Sequence, residues 1–198
     1  MESKVHQSWE EFLNPDVVRP VLISASIYIA GFEALSDAIV GRIRTFFCNG
    51  FDEPGHKIDL RYQSDVLSRN RSPIYASLDW LKEMHAIDDA DIDAFDRIKS
   101  CRNDLAHRLF SIVGSEFTPP DFATRFQEMA ALLRKIEVWW IREFEIPTNP
   151  VFAGKEISDD GIVPGSVIGL HLLCDIALGD EHKSRFYMEE FRRQAKKA

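Results

Sequence analysis

Residues 28–46 read YIAGFEALSDAIVGRIRTF, and this stretch decides the fold of the chain. Large apolar side chains recur in it at every third or fourth position: Tyr28, Phe32, Leu35, Ile39, Ile43 and Phe46. That spacing is typical of one face of an α-helix, and the flanking residues extend the predicted helix over residues 17–48. A second apolar stripe runs along another face: Leu22, Ile29, Val40 and Phe47. A helix that is apolar on two sides lies either at the centre of a bundle or in a dimer interface.

The rest of the chain predicts further helices and no β-strand. Ser72-Pro73 is typical of a helix start, so a helix is expected to follow it. A long helix is expected over residues 89–113, because apolar residues recur there at helical spacing, Asp88 or Asp89 can cap its start and the first turn is acidic. The next predicted helix opens near Pro119 and continues to Phe144 along a regular apolar stripe.

Two less regular segments and a C-terminal extension complete the predicted fold. Residues 51–59 contain a turn signal and predict a loop, whereas residues 60–71 predict a short helix or an ordered loop. Two helical pieces follow a connector rich in Pro, Gly and Asp. The predicted class is an all-α bundle of about four or five main helices in residues 1–146. Residues 147–198 are expected to form a C-terminal helical extension packed on the same core.

Composition and charge restrict the class of protein. Of the 198 residues, 45% are hydrophobic and 28% are charged, as in a folded soluble domain. The net charge of −8 gives no overall attraction to nucleic acid or membrane, so RNA would need a local basic site and DNA is not expected. Three distant cysteines predict neither a disulfide framework nor a zinc site. The first residues lack a signal peptide, and the charge-free stretch over residues 20–32 has 13 residues, too few to span a bilayer, which predicts a cytoplasmic protein without a membrane partner.

Residues 101–108 read CRNDLAHR and interrupt the apolar pattern of the helix over residues 89–113. Arg102, Asn103 and His107 place polar groups where the helix is expected to pack. Asn103 and His107 are one turn apart and share a face. Arg102 and His107 are five residues apart, so they point about 140° away from each other. One helix cannot aim both side chains at one atom, whereas two copies that face each other can.

This segment resembles the signature of the HEPN superfamily, in which four to six residues separate an Arg from a His and the residue directly after the Arg is polar. Here Asn103 follows Arg102, and four residues separate Arg102 from His107. The resemblance covers roughly residues 15–146 and implies an all-α bundle that forms a homodimer. Many such domains are metal-independent ribonucleases, and many act in toxin–antitoxin or antiviral defence systems. The implied partners are an RNA substrate, a second copy of the chain and an antitoxin.

The resemblance also implies a reaction that needs no metal and no cofactor. A ribose 2′-hydroxyl attacks the neighbouring phosphate, and the products are a 2′,3′-cyclic phosphate and a 5′-hydroxyl. His107 would remove or return the proton, because an imidazole can do both near neutral pH. Arg102 would bind two phosphate oxygens with its planar fork as negative charge builds up. Asn103 would orient His107 or the phosphate, and Asp104 is a fourth candidate.

Two other groups of polar residues have simpler interpretations beside the functional one. Glu33 interrupts the long helix, where its carboxylate is either exposed to solvent or a buried partner of Arg102. His171, Cys174 and Asp175 can line up on one helix as metal ligands, but clusters from a single segment are usually core and surface neighbours. No metal site is therefore expected at His171, Cys174 and Asp175.

The alternative function is a non-catalytic helical module that binds a protein partner or RNA. In that case Arg102 and His107 would only stabilise the bundle or hold a ligand. The net charge of −8 and the lack of an obvious surface for RNA stacking favour this alternative.

Overall fold

The computed structural model describes residues 6, 9–10, 12–53, 55–113 and 122–196, with the side chains of residues 52, 56 and 109–113 excepted. Within these residues the chain is an all-α bundle, which confirms the predicted class, apart from one small hairpin. The predicted helix start near Pro119 lies outside the described residues.

The long apolar stretch forms a continuous helical rod of three segments. α1 spans Pro15–Ser36, a π-helical turn spans Asp37–Gly41, and α2 spans Arg42–Phe46. We call these three segments the central rod. A hairpin follows, with β1 at Cys48–Asp52 and β2 at Gly55–Ile58.

The later elements are helical. A π-helical turn at Tyr62–Val66 and a 3₁₀ turn at Leu67–Arg69 occupy the segment for which a short helix or ordered loop was predicted. The remaining helices and turns are, in chain order, α3 (Pro73–Glu83), α4 (Asp89–Val113), α5 (Phe122–Trp140), a third π-helical turn (Ile141–Glu145), α6 (Ile146–Thr148), two 3₁₀ turns (Pro150–Phe152 and Asp159–Gly161), α7 (Gly165–Leu178) and α8 (Glu181–Ala195).

The central rod is the core of the bundle because α4, α5 and α7 all pack against α1. Four large side chains of the predicted stripe are completely buried: Tyr28, Leu35, Ile39 and Ile43. Full burial of such a side chain contributes about 1.5–3 kcal/mol. Of the two environments that the sequence allows for this helix, the structure of the single chain therefore provides the first, the centre of a bundle.

The central rod also has the length and composition of a membrane-spanning helix. It has 32 residues, and one 18-residue window within it reaches a mean hydropathy of 1.4. Its second half is enclosed by the other helices, with Leu35, Ile39 and Ile43 fully buried. The apolar character of that half is explained by packing inside the bundle, and the structure is compatible with a soluble protein.

Gly31 allows three helices to meet closely in the middle of the bundle. A Cβ atom at this position would lie 2.6 Å from Met129 Cε and 3.3 Å from Leu170 Cδ1. Met129 belongs to α5 and Leu170 to α7, and both side chains are buried. A glycine at residue 31 therefore sets the distance at which α5 and α7 pack on α1.

The start of α4 is capped as the sequence predicts. Asp88 Oδ1 accepts hydrogen bonds from the backbone N–H groups of Ala90 and Asp91, at 2.9 and 3.2 Å. Lys135 of α5 forms ion pairs with both Asp88 and Asp91. On the buried side of α4, the Tyr28 hydroxyl donates to the carbonyl of Ile98 at 3.1 Å. These contacts fix α4 between α1 and α5.

The hairpin corrects the sequence prediction, which placed a loop at residues 51–59 and found no strand. β1 and β2 pair antiparallel, with Cys48 opposite Ile58 and Gly50 opposite Lys57. The strands have five and four residues and lack a regular apolar alternation, so periodicity does not reveal them. The backbone N–H of Asp59 donates to the Phe47 carbonyl at 2.8 Å and closes the hairpin onto the end of the rod.

The two helical pieces predicted near the C-terminus are confirmed as α7 and α8. Val167 and Leu170 of α7 are buried, and α7 packs against α1 and α5. α8 lies against α7, where the Tyr187 hydroxyl donates to Asp175 Oδ2 at 2.7 Å. The C-terminal extension is thus in contact with the same bundle as the central rod.

A pair of leucine variants on α1 tests which part of the rod carries the core. Leu35 is fully buried, whereas Leu22 is 40% exposed on the same helix. Leu35→Ala should lower the free energy of unfolding by about 2–5 kcal/mol, because it leaves a cavity among packed helices. Leu22→Ala should lower it by less than about 1 kcal/mol. Urea unfolding followed by circular dichroism measures both; equal losses would contradict the assignment of the core.

Candidate functional site

Arg102 lies in the groove between α4 and α1. Its Nη2 is 3.4 Å from Glu33 Oε1, and its guanidinium lies over the ring of Phe32, 5.6 Å from the ring centre. The side chain is 31% exposed, so the group is only partly covered. The Nε atom is buried and has no acceptor among the described residues. Arg102 is therefore held by α1 from one side and open to solvent on the other.

Asn103 and His107 lie on the solvent-exposed surface of α4, one turn apart, as the helical spacing predicts. In the described part of the chain, neither side chain makes a hydrogen bond or ion pair. Asp104 is partly buried and lies 4.0 Å from Arg108 in an ion pair along the helix. The structure thus leaves the imidazole accessible and does not bring Arg102 and His107 together within one chain.

Glu33 is both exposed to solvent and a partner of Arg102, the two alternatives that the sequence left open. Its side chain is 62% exposed, and it also forms the ion pair with Arg102. An exposed pair of this kind contributes about 0–1 kcal/mol to stability, because solvent screens the two charges. The contact is long and is accessible from solvent, so an incoming anion can compete with Glu33 for Arg102.

Cys101 lies beneath this group of polar residues and belongs to the core. Its side chain is buried, and burial raises the pKa of its thiol. Burial also raises the pKa of the Tyr28 hydroxyl, which lies against α4. A buried thiol with a raised pKa is a poor nucleophile, so Cys101 acts as packing.

The cluster suggested by His171, Cys174 and Asp175 has a structural role in α7. Asp175 accepts a hydrogen bond from Tyr187 and pairs with Lys183 at 3.4 Å, and the Tyr187 bond is the main cause of its lowered pKa. Over the described ranges, no group of three or more His, Cys, Asp or Glu side chains can hold a metal ion.

A cleft at the C-terminal end of the central rod was not predicted from the sequence. It has a volume of about 620 Å³ and lies between the π-helical turns Asp37–Gly41 and Ile141–Glu145, and we call it the ionic cleft. The residues that matter for its chemistry are Asp37, Arg42, Arg44, Phe46, Phe144 and Glu145. π-Helical turns are rare and frequently occur at functional sites.

The inner wall of the ionic cleft is an ion-pair network around Arg42. Arg42 Nη1 lies 2.7 Å from Glu145 Oε1, and Nη2 forms a second ion pair with Glu137. Glu137 is a buried carboxylate on α5, and burial raises its pKa even though Arg42 opposes this effect. The pair joins the central rod to α5 across the cleft.

The sequence contains a signal for this network. Glu137 stands between Ile136 and Val138 in a stretch that continues into Trp139-Trp140, so it interrupts a strongly apolar run. A charged residue at a buried position requires a partner of opposite charge. Periodicity identifies Glu137 as such a residue, but only the folded chain identifies Arg42, 95 residues away, as its partner.

Comparison with known proteins gives no match: no family model, no curated protein and no solved structure matches the chain.

The raised pKa of Glu137 predicts a pH dependence of stability. In an unfolded chain, a glutamate titrates near about pH 4.3, below the pKa of the buried Glu137 carboxyl. The Glu137 carboxyl holds its proton more tightly in the folded chain than in the unfolded chain. This difference stabilises the fold fully at pH values below the unfolded pKa, and the stabilisation is lost as the pH rises through the folded pKa. Glu137→Gln should remove this loss, so the variant should gain stability relative to the wild type as pH rises.

Glu190 provides a control with the opposite sign, because Arg193 lowers its pKa. Its stabilising contribution is present above the unfolded pKa and is lost as the pH falls through the folded pKa. Glu190→Gln should therefore lose stability relative to the wild type as pH rises. Urea unfolding of the three proteins between about pH 4 and pH 7 measures both differences. A Glu137→Gln profile parallel to that of the wild type would contradict the assignment.

Proposed function

We propose that the chain is a metal-independent endoribonuclease of HEPN type whose active site is completed by a second copy. The observation that carries this proposal is the placement of His107 and Asn103, exposed and one turn apart on α4, beside the partly exposed Arg102. An imidazole, an amide and a guanidinium are the groups that phosphodiester transesterification needs without a metal.

The environment of Arg102 supports a role in binding a phosphate. The ring of Phe32 holds the guanidinium from one side, and Glu33 is its one hydrogen-bond acceptor among the described residues. A guanidinium has five N–H donors in a fixed fork. Most of these donors are therefore uncommitted, and the fork can bind two phosphate oxygens once the weakly held Glu33 is displaced.

The direction of α4 explains why a second copy is needed. Arg102 and His107 project about 140° apart from one helix, so a single chain presents them to different sides. A two-fold axis beside α4 places Arg102 of one chain opposite His107 of the other. Phe32 stacks against Phe95 while Tyr28 bonds to Ile98, so α1 and α4 run antiparallel.

Exposed apolar residues of α1 support an interface near His107. Because the two helices are antiparallel, the first half of α1 lies at the same end of the bundle as the second half of α4. That half of α1 exposes Val17, Leu22 and Ile23. A contact between two copies at this end would cover these side chains and bring the two α4 helices together.

In the proposed reaction, His107 removes the proton from the ribose 2′-hydroxyl, which attacks the neighbouring phosphorus atom. The bond from phosphorus to the 5′-oxygen breaks, and the His107 imidazolium returns the proton that it has taken up to that oxygen. Arg102 stabilises the negative charge on the phosphate oxygens as the bond forms. Asn103 orients His107 or the phosphate, and Asp104, paired with Arg108, has a supporting role. DNA lacks the 2′-hydroxyl and is not cleaved.

The biological setting belongs to the same proposal. The chain would act in the cytoplasm, in a toxin–antitoxin or antiviral system, and an antitoxin would hold it inactive. Its net charge of −8 disfavours binding to RNA in general, so cleavage would be restricted to RNA that fits the local site.

The contacts of Arg102 also favour a second candidate, the non-catalytic binding module. A guanidinium held by an aromatic ring and a carboxylate is a common structural arrangement between helices. In a binding module, Arg102→Ala would destabilise the bundle, and no RNA would be cleaved by the wild type.

Variants of the two central residues test the proposal. His107→Ala should lower the cleavage rate by about 10²–10⁴ without changing the melting temperature, because the side chain is exposed and Ala is favourable in a helix. Arg102→Ala should also lower the rate, and Arg102→Lys should restore little of it, because a point charge does not replace the fork. Thermal melts and RNA cleavage with end-group analysis are measured on the same preparations.

The control variant is Lys57→Ala, an exposed lysine of β2 away from the proposed interface, which should change neither quantity. Wild-type cleavage should persist in excess EDTA. Wild-type protein that cleaves no RNA, or a His107→Ala variant with full activity, would contradict the catalytic assignment.

A further inference from the structure

The ionic cleft has the size and the construction of a small-molecule site. Its volume of about 620 Å³ lies within the roughly 300–1,000 Å³ of such sites. Its walls come from the central rod, Trp140 at the end of α5, the π-helical turn Ile141–Glu145 and Ile58 of β2. The Arg42 network joins these walls. The cleft is therefore lined by elements that are fixed relative to one another.

One side of the cleft is aromatic and open. The rings of Phe46 and Phe144 are 5.0 Å apart, and those of Trp140 and Phe144 are 4.9 Å apart, so the three form a continuous wall. Phe46 is 48% exposed, which is unusual for a residue of the predicted core stripe. The buried Nε1 of Trp140 has no acceptor among the residues that the structure describes. This wall can pack against a planar ring that enters the cleft.

The charged residues of the cleft divide into a committed and an uncommitted set. Arg42 is occupied by Glu137 and Glu145. Asp37 and Arg44 also line the cleft, but neither makes an ion pair or hydrogen bond within the described part of the chain. One carboxylate and one guanidinium thus remain available to a ligand.

The side chain of Asp37 extends along the rod toward the turn that carries Arg44. A Cβ atom at Gly41 would lie 2.0 Å from Asp37 Oδ1, so the carboxylate folds over Gly41 toward the C-terminal end of the rod. Arg44 follows Gly41 by three residues, about 4.5 Å along the helix axis. Since the two groups form no ion pair with each other, the space between them can accept a molecule that carries both signs.

We propose that the ionic cleft binds a zwitterionic ligand with an aromatic ring, of the class of the aromatic α-amino acids. The guanidinium of Arg44 binds the carboxylate of the ligand, and the carboxylate of Asp37 binds its ammonium group. The ring of the ligand packs against Phe46 and Phe144. A purely anionic ligand would be repelled by the carboxylates of Asp37 and Glu145. A purely cationic ligand would leave the guanidinium of Arg44 without a partner, so a ligand with both charges fits the cleft best. This site is independent of the proposed ribonuclease, because it uses none of the residues on α4.

Three probes that share one phenyl ring test the proposal on the full chain. L-Phenylalanine carries both charges, 3-phenylpropanoate lacks the ammonium group, and phenethylamine lacks the carboxylate. Isothermal titration should show L-phenylalanine binding about tenfold or more tightly than either analogue, as expected for one charged hydrogen bond. L-Leucine should bind more weakly than L-phenylalanine, because it lacks the ring.

Two variants assign the charges, and both change exposed side chains that the fold does not need. Asp37→Asn should remove the advantage of L-phenylalanine over 3-phenylpropanoate. Arg44→Gln should remove its advantage over phenethylamine. Gly41→Ala should weaken the binding of L-phenylalanine, because the added methyl group displaces the Asp37 carboxylate.

Arg19→Gln is the matched control, since this exposed arginine lies at the far end of the rod, and its affinities should equal those of the wild type. His107→Ala should also bind normally, which separates this test from that of the ribonuclease. Absence of saturable binding of L-phenylalanine up to about 10 mM would overturn the proposal. Equal affinities for the three phenyl probes, or unchanged preferences in both charge variants, would overturn it as well.

Discussion

The apolar surface of the central rod, Pro15–Phe46, is the constraint on which the rest of the structure depends. A helix with apolar side chains on more than one face cannot remain exposed to water, so other helices must cover it. α4, α5 and α7 do so, and Gly31 lets α5 and α7 approach α1 closely. Both proposed sites lie where this covering is incomplete.

The proposed catalytic residues lie at one such place. Arg102 is part of the covering, because its guanidinium packs on Phe32 and pairs with Glu33 of α1. His107 lies more than one turn further along α4, on the surface that faces solvent. The ionic cleft lies at the C-terminal end of the rod, where the regular helix of α1 gives way to the π-helical turn Asp37–Gly41. The two proposed sites therefore use different stretches of the same rod: residues 32–33 contact Arg102, and residues 37–46 line the cleft.

The elements that periodicity defines were predicted correctly from the sequence. The central rod, α3, α4, α7 and α8 follow from apolar spacing and from caps such as Asp88. The hairpin was missed, because its short strands are held by the ends of the rod and not by a pattern of their own. The partners of charged residues were also beyond the sequence. Glu33 and Arg102 are 69 residues apart, and Arg42 and Glu137 are 95 apart, so only the packing of helices joins them.

The central claim is that a complete active site takes Arg102 from one chain and His107 from the other. Complementation tests it most directly: Arg102→Ala and His107→Ala proteins are mixed, allowed to exchange subunits and assayed for RNA cleavage. Each variant alone should be inactive. In the mixture, half of the dimers would contain one chain of each kind and one intact site, so about a quarter of the wild-type activity should return. No recovery in a mixture whose mixed dimers are demonstrated by mass spectrometry would contradict the shared site.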